Sequence, residues 1–346
     1  MQRILAVIRS WPNLAACALA LLLGSLPPGN AVAQSEIEST SRALQRASDS
    51  VVGLEVLAVE DARSAGTLGR QREGSGVVIG EDGLVLTIGY LILEAQQVFL
   101  VTDDGRRIPA RAVAYDVSTG FGLVQALAPL KIEPAPLGDA MTARHDEPLV
   151  FVSGGKGAGV SVARLVSRRA FSGYWEYHID QALFTTPARS DHSGAGLFNA
   201  RGELVGIGSL VVQDAAGSEV GRLPGNMFVP VDLLKPVLGE LRERGSSRAS
   251  ERAWMGVNCV EQDGRVRIAR VSDDSPADVA GLERGDLITA VDGVTVGSLE
   301  QLWKRLWAGD RAERAVVVEI ERRGERQLVT VQTVDRAKTL RRAQGI

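Results

Sequence analysis

Cysteine is nearly missing from this chain of 346 residues, which has two, Cys17 and Cys259. They permit at most one disulfide, so a disulfide-stapled scaffold is excluded. Histidine is scarce as well, with three at positions 145, 178 and 192. Few groups can therefore serve as an ordinary general base. No apolar run reaches the ~18 to 20 residues of a spanning helix, which excludes a multispan membrane protein. An excess of basic residues is missing too. The 39 Lys and Arg face 42 Asp and Glu, for a net charge of −3, and nothing favours nucleic acid. The 38 Gly follow no three-residue period, which excludes collagen. What remains is ordinary for a folded protein, 45% hydrophobic and 23% charged, and the length favours two or three domains.

The first 33 residues read as a targeting segment. Arg3 and Arg9 give a positive start, an apolar stretch runs from Leu14 to Leu26, and Pro27, Pro28 and Gly29 break it. Ala31-Val32-Ala33 then supplies a small-x-small cleavage site. Residues 1–33 are thus expected to be a signal peptide cleaved after Ala33, the alternative being an uncleaved N-terminal anchor. Cleavage would remove Cys17 and leave Cys259 alone. Export places the mature protein in the periplasm or outside the cell.

Residues 34–50 form an N-terminal segment with weak helical periodicity over 36–48. From 51 to 244 come short apolar runs separated by turns such as Glu81-Asp82-Gly83 and Asp103-Asp104-Gly105. That spacing predicts an all-β sandwich or barrel, closed by a helix from Val231 to Arg244. Residues 245–252 read as a polar linker. Residues 253–335 mix five strands with helices at Ser275–Ala280 and Ser298–Trp307, a small α+β module. A polar tail, 336–346, follows.

The motifs resemble those of the HtrA (DegP-like) serine proteases. Gly74-Ser75-Gly76-Val77-Val78-Ile79 and Asp82-Gly83-Leu84-Val85-Leu86-Thr87 look like the family's opening strands. Ser193-Gly194-Ala195-Gly196-Leu197-Phe198-Asn199 looks like its nucleophile loop, and Phe228-Val229-Pro230-Val231-Asp232 like its last strand. Trp254-Met255-Gly256-Val257, Ala280-Gly281-Leu282 and Gly285-Asp286-Leu287-Ile288 resemble its PDZ domain. The resemblance covers about residues 50 to 334. It implies a mostly β protein, with a chymotrypsin/trypsin-like double β-barrel followed by an α+β PDZ domain.

The resemblance breaks at the catalytic positions. The family uses a Ser, His and Asp triad, because serine needs a neighbouring base to take its proton. Ser193 stands at the nucleophile position, Tyr90 at the His position and Gly120 at the Asp position. A phenol with a pKa near ~10 is protonated at neutral pH and is no base. The oxyanion loop reads Asp191-His192-Ser193, and Asp191 replaces a family Gly whose amide serves the oxyanion hole. Asp116 matches a different family Asp. The three His read as structural. Ser193, bonded to its own turn, also has a structural reading.

PDZ-type binding adds a peptide strand to a sheet edge and holds its terminal carboxylate in a nest of backbone amides. The resemblance places that nest at Met255, Gly256 and Val257, with apolar pocket residues Leu302 and Leu306. Core packing is the competing reading for Val257 and Leu302, and Trp303 and Trp307 are expected to cover one helix face. The groove is expected to belong wholly to this module, and Gly256→Val to spare the fold. The implied function is an exported HtrA-like pseudoprotease, a scaffold, adaptor or regulator in protein quality control. Its partners would be polypeptides with apolar C-termini or unfolded exported proteins, and an active HtrA-like protease. The alternative is a serine-type endopeptidase with a non-standard site around Ser193. A minor alternative is a metal-binding protease-like domain, for which His145-Asp146-Glu147 offers ligands without a supporting spacing. No cofactor, metal or nucleic acid is expected. The family trimerises through an aromatic-bearing N-terminal segment, but residues 34–50 hold no aromatic.

Overall fold

The computed structural model describes residues 28–341. The signal-peptide reading therefore lies largely outside the described residues. Helix α1, Pro28–Asp49, already begins ahead of the expected cleavage position. Residues up to 42 and those from 43 onward are separate compact units. In the first, the described residues are helical. In the second, the last turns of α1 bury Ala43 and Ala47. Among the described residues no helix is long and apolar enough to cross a membrane.

Six strands follow: β1 Val51–Ala58, β2 Gln71–Val78, β3 Leu84–Ile88, β4 Ala95–Val101, β5 Arg107–Tyr115 and β6 Phe121–Ala126. They close into a barrel in the order β1-β2-β3-β6-β5-β4. A second set comprises β7 Pro148–Ser153, β8 Gly159–Ser172, β9 His178–Thr186, β10 Gly196–Phe198, β11 Leu204–Val212 and β12 Gly225–Pro230. It closes in the order β10-β11-β12-β9-β8-β7. Closure removes the open edges that a run of short strands would otherwise expose. Leu54, Leu86, Leu100, Phe121 and Leu123 fill the first barrel, while Phe151 and Phe228 meet edge to face at 6.2 Å in the second. Each such side chain contributes about 1.5–3 kcal/mol on burial.

The expected helix from Val231 to Arg244 is interrupted. Residues Val231–Leu233 form a 3-10 turn and only Leu238–Arg244 is α-helical (α2). Pro236 lies between them and cannot supply the amide that a continuous helix needs. The segment after α2 is not a loose linker either. Ser247 and Ser250 are buried and their hydroxyls both donate to Asp116 Oδ1. Asp116 also accepts from Ser118 Oγ at 2.8 Å and the Thr119 amide at 3.0 Å. Burial alone would push this carboxyl up, but the hydroxyls of Ser247, Ser250, Thr119 and Ser118 outweigh it and hold it below the ordinary range.

The C-terminal module pairs β13 Ala253–Trp254 with a later strand and then builds one sheet from β14 Val257–Gln262, β15 Arg265–Val271, β16 Leu287–Val291, β17 Val294–Thr295, β18 Ala315–Arg322 and β19 Glu325–Gln332. The sheet order is β14-β15-β16-β18-β19, with β17 beside β16 and β20 Val334–Asp335 pairing β13. Helix α3, Leu299–Leu306, starts at Ser298, whose hydroxyl accepts from the Gln301 amide at 3.1 Å. Leu299, Leu302, Trp303 and Leu306 recur at helical spacing and all are buried. Gly285-Asp286 is structural: buried Asp286 takes two 2.7 Å bonds from Arg322.

Candidate functional site

The Gly-rich pieces that stood out in the sequence meet at one place. Ser75 donates its amide to the Ser193 carbonyl at 2.9 Å. A Cβ at Gly74 would lie 2.7 Å from that carbonyl oxygen, and a Cβ at Gly194 would lie 2.0 Å from the Ser75 carbonyl oxygen. Gly194 also has φ +73°. Only glycine fits such an approach between two backbones. The first barrel is thereby locked to the loop carrying Ser193.

Tyr90 stands just past β3, in the turn Gly89–Leu91. Its Oη lies 2.8 Å from Ser193 Oγ and 2.8 Å from the Ser209 carbonyl oxygen. A carbonyl can only accept, so the single phenolic proton serves Ser209. The Ser193 hydroxyl is then left donating to a neutral phenol oxygen. Burial pushes the Tyr90 phenol up to about 12, and the bond from Ser193 only partly offsets this. The group facing the nucleophile position is protonated throughout the physiological range and takes no proton from it.

Gly120 sits in the turn before β6 with φ +82°. A Cβ there would lie 3.2 Å from Tyr177 Oη, which itself donates to the Thr119 carbonyl at 2.6 Å. No carboxylate stands at this position, and the backbone disfavours one. Asp116, four residues earlier, spends its oxygens on the serine and threonine donors described above.

Asp191 is held by Arg189 and Ser153. Its carboxylate accepts from Arg189 Nε at 2.9 Å, Arg189 Nη2 at 2.7 Å and Ser153 Oγ at 2.6 Å. Burial raises this carboxyl, but the Arg189 and Ser153 bonds outweigh that and lower it, and its own backbone amide adds to them. The negative charge is therefore compensated by Arg189 rather than left bare beside the nucleophile loop. His192 points its Nδ1 at the Arg189 carbonyl, 3.1 Å away. Burial lowers its pKa.

His178 is buried between Ser172 Oγ, at 2.8 Å, and Asp180, at 3.2 Å. Asp180 and Glu300 lie close enough to share a cation with it. The Lys304 ammonium already binds both carboxylates, at 2.7 and 2.8 Å, so that position holds a protein cation. His145 is exposed and pairs with Asp146 at 3.0 Å.

In the C-terminal module, Met255, Gly256 and Val257 present their amides to one point, as the resemblance implies. That point is occupied. Glu176, from the turn between β8 and β9, accepts from Met255 at 3.1 Å, Gly256 at 2.7 Å and Val257 at 3.1 Å. Burial pushes the Glu176 carboxyl up to about 7 against the pull of these three amides. Glu176 gave no signal in the sequence, since an acidic residue among aromatics does not reveal a distant partner. The expectation that the groove belongs to the C-terminal module alone is thus corrected. Leu302 and Leu306 are fully buried core residues rather than the walls of an open pocket. Gly256 has φ +90°, and a Cβ there would lie 2.3 Å from the Ser275 Cβ. Gly256→Val would strain the fold instead of sparing it. Trp303 of α3 and Trp307, just past its end, stack with ring centroids 6.4 Å apart.

A trypsin-like peptidase domain family matches residues 74–207, and a PDZ domain family matches residues 253–333. Among curated proteins, a probable periplasmic DegP-like serine endoprotease of Brucella suis biovar 1 is 29% identical over 250 residues, covering 68% of this chain and 47% of the relative. A protein of the same description from Hahella chejuensis is 28% identical over 286 residues, covering 78% of this chain and 58% of the relative. The chain spans about half the length of these relatives. Among solved structures, the HtrA-type protease AlgW with decapeptide aligns with a TM-score of 0.53 at 19% identity, covering 87% of this chain and 98% of that one. The serine endoprotease from Yersinia pestis aligns at 0.51 and 23% identity, covering 86% and 97%. At these identities the structures show a shared fold.

Proposed function

Because the chain belongs to the HtrA family, with a trypsin-like peptidase domain followed by a PDZ domain, we propose that it is a pseudoprotease that binds polypeptides. The observation that carries this reading is the Tyr90 phenol against Ser193 Oγ at 2.8 Å. A serine hydroxyl with a neutral phenol in place of a base lacks the activation that acyl transfer requires. The missing carboxylate at Gly120 and the acidic Asp191 at the oxyanion-loop Gly position are independent defects in the same reaction. The alternative, a working serine endopeptidase, draws on the names of the relatives and on the retained Ser193.

The backbone amides of Met255, Gly256 and Val257 support the second half of the reading. They form a nest that holds a carboxylate, the group that ends every polypeptide. The partners we propose are polypeptides with apolar C-termini, or unfolded exported proteins, and an active HtrA-like protease that this chain would regulate. The relatives' names support the periplasm as its place of action.

The purified protein should leave unfolded casein intact, and Ser193 should resist a fluorophosphonate probe. Labelling that disappears on Ser193→Ala would show an activated serine and defeat this reading.

A further inference from the structure

The nest is one part of a longer contact. The turn Gly173–Tyr177 leaves the second barrel and lies along β14, the edge strand of the C-terminal sheet. Trp175 and Asn258 form an antiparallel bridge. The Cys259 amide donates to the Tyr174 carbonyl at 2.6 Å. On the opposite side, Trp303 Nε1 of α3 donates to the Gly173 carbonyl at 3.0 Å. One short strand thus pairs with the sheet edge, touches the helix, and delivers a carboxylate to the amide loop. Those are the contacts by which a C-terminal peptide occupies such a groove. Here the Glu176 side chain stands in for the terminal carboxylate.

We propose that Gly173–Glu176 is a built-in ligand of the PDZ groove, so that an external C-terminal carboxylate binds only by displacing it. This rests on the reading of the module as a peptide binder and narrows it. The segment is tethered, and a short tether gives an effective concentration on the order of millimolar. Even weak strand contacts then keep the groove closed at ordinary peptide concentrations. The tether is also held at its base: the Trp175 ring stacks on Tyr177 at 5.6 Å, and Phe171 lies 6.2 Å from Tyr177. Release of the strand would disturb the turn that leads into β9, and Tyr177 is the residue whose hydroxyl reaches the Thr119 carbonyl beside Gly120. Occupancy of the groove is therefore linked to the packing of the barrels.

The test uses the full chain, wild type and Glu176→Gln. The side-chain amide of Gln would turn an N–H toward donors, and should loosen the segment with little change in volume. Two labelled octapeptides serve as probes. One carries the sequence of residues 169–176 with an amidated end, so that its Glu supplies the carboxylate facing the nest. The other ends in a free Leu carboxylate. Both should bind Glu176→Gln at least roughly tenfold more tightly than wild type, because affinity scales with the fraction of open groove. A gain for the first peptide alone would uphold the built-in ligand and defeat the proposed preference for apolar C-termini. Measurable binding of the Leu peptide, equal in both proteins and with no gain for the first peptide, would overturn the built-in ligand and leave that preference standing. No gain for either peptide would overturn it as well. Hydrogen exchange on the unliganded wild type does not depend on the variant folding. The amides of Met255, Gly256, Val257 and Cys259 should be protected, and fast exchange at all four would overturn the proposal.

Discussion

Two regions of this molecule are each filled by a side chain from elsewhere in the chain, and they differ in what lies underneath. At the nucleophile loop, Tyr90 covers Ser193, and on the pseudoprotease reading proposed above the machinery beneath it is incomplete: a neutral phenol instead of a base, no carboxylate at Gly120, and Asp191, paired with Arg189, in the oxyanion loop. At the PDZ loop, Glu176 covers the amides of 255–257, and beneath it the machinery is complete. Backbone performs the second task, while side chains perform the first. Side-chain replacement erases a triad but leaves an amide nest in place. On the two proposals made above, loss at one site is chemical and closure at the other is competitive, so they should respond differently to repair.

The sharpest way to break this comparison is to rebuild the triad. Tyr90→His with Gly120→Asp should leave casein cleavage at least ~100-fold below that of an active relative, since Asp191 still replaces the oxyanion-loop Gly and loss of one oxyanion donor alone can cost that much. The strain of an Asp at φ +82° works in the same direction. Adding Asp191→Gly should help more than additively, because triad and hole act as a unit, although Arg189 then loses its partner. Strong cleavage by the double variant would mean that the oxyanion loop is functional as it stands.

A second experiment asks how independent the two regions are. Asp116 joins the first barrel to the segment before the PDZ module through Ser247 and Ser250. Asp116→Ala should cost about 2 kcal/mol by leaving buried hydroxyl and amide donors unpaired, read as a lower melting temperature in calorimetry. A melting temperature equal to wild type would mean that the segment is held by other contacts.

The smallest effect concerns pH at the closed groove. Glu176 has a docked pKa of about 7 against an ordinary value of 4.5. The docked form therefore binds the extra proton. Docking is fully favoured below the released value and weakens as pH rises through the docked one. Peptide affinity should rise by roughly tenfold from pH 6 to pH 8, and Glu176→Gln should abolish the rise. Arg336 is the charged neighbour that acts against this shift, and Cys259 lies in the same buried environment. A flat profile in the wild type would mean that the carboxylate stays ionised when docked.

Much of the fold was legible in the residues. The alternating short strands, the Gly-Ser-Gly and Ser-Gly-Ala-Gly pieces and the Asp286 turn fall where the barrels and the PDZ sheet need them. The substituted catalytic positions were legible too, because each sits inside a motif whose order fixes its place. Tyr90 and Ser193 lie 103 positions apart and were paired on that basis alone. The polar stretch 245–252 misled, since Ser247 and Ser250 look solvated until a buried carboxylate is found to accept from them. Leu306 misled in the opposite sense, since the resemblance placed it in a pocket wall where it is a fully buried core residue; for Leu302 the competing core reading holds.

Sequence by itself determined a run of short strands followed by a small α+β module, and through the family resemblance its motifs carry it placed the two barrels, the PDZ module, Tyr90 at the position of the base and the amides of 255–257. Those depend on local pattern, motif order and backbone, all written along the chain. Only the tertiary structure decided what each site faces. Arg189 neutralises Asp191 from two residues away, by a turn that no spacing rule specifies. Glu176 reaches Gly256 across 80 positions. A contact of that range follows from how two modules pack together, and packing is a sum over whole surfaces rather than a property of any one segment.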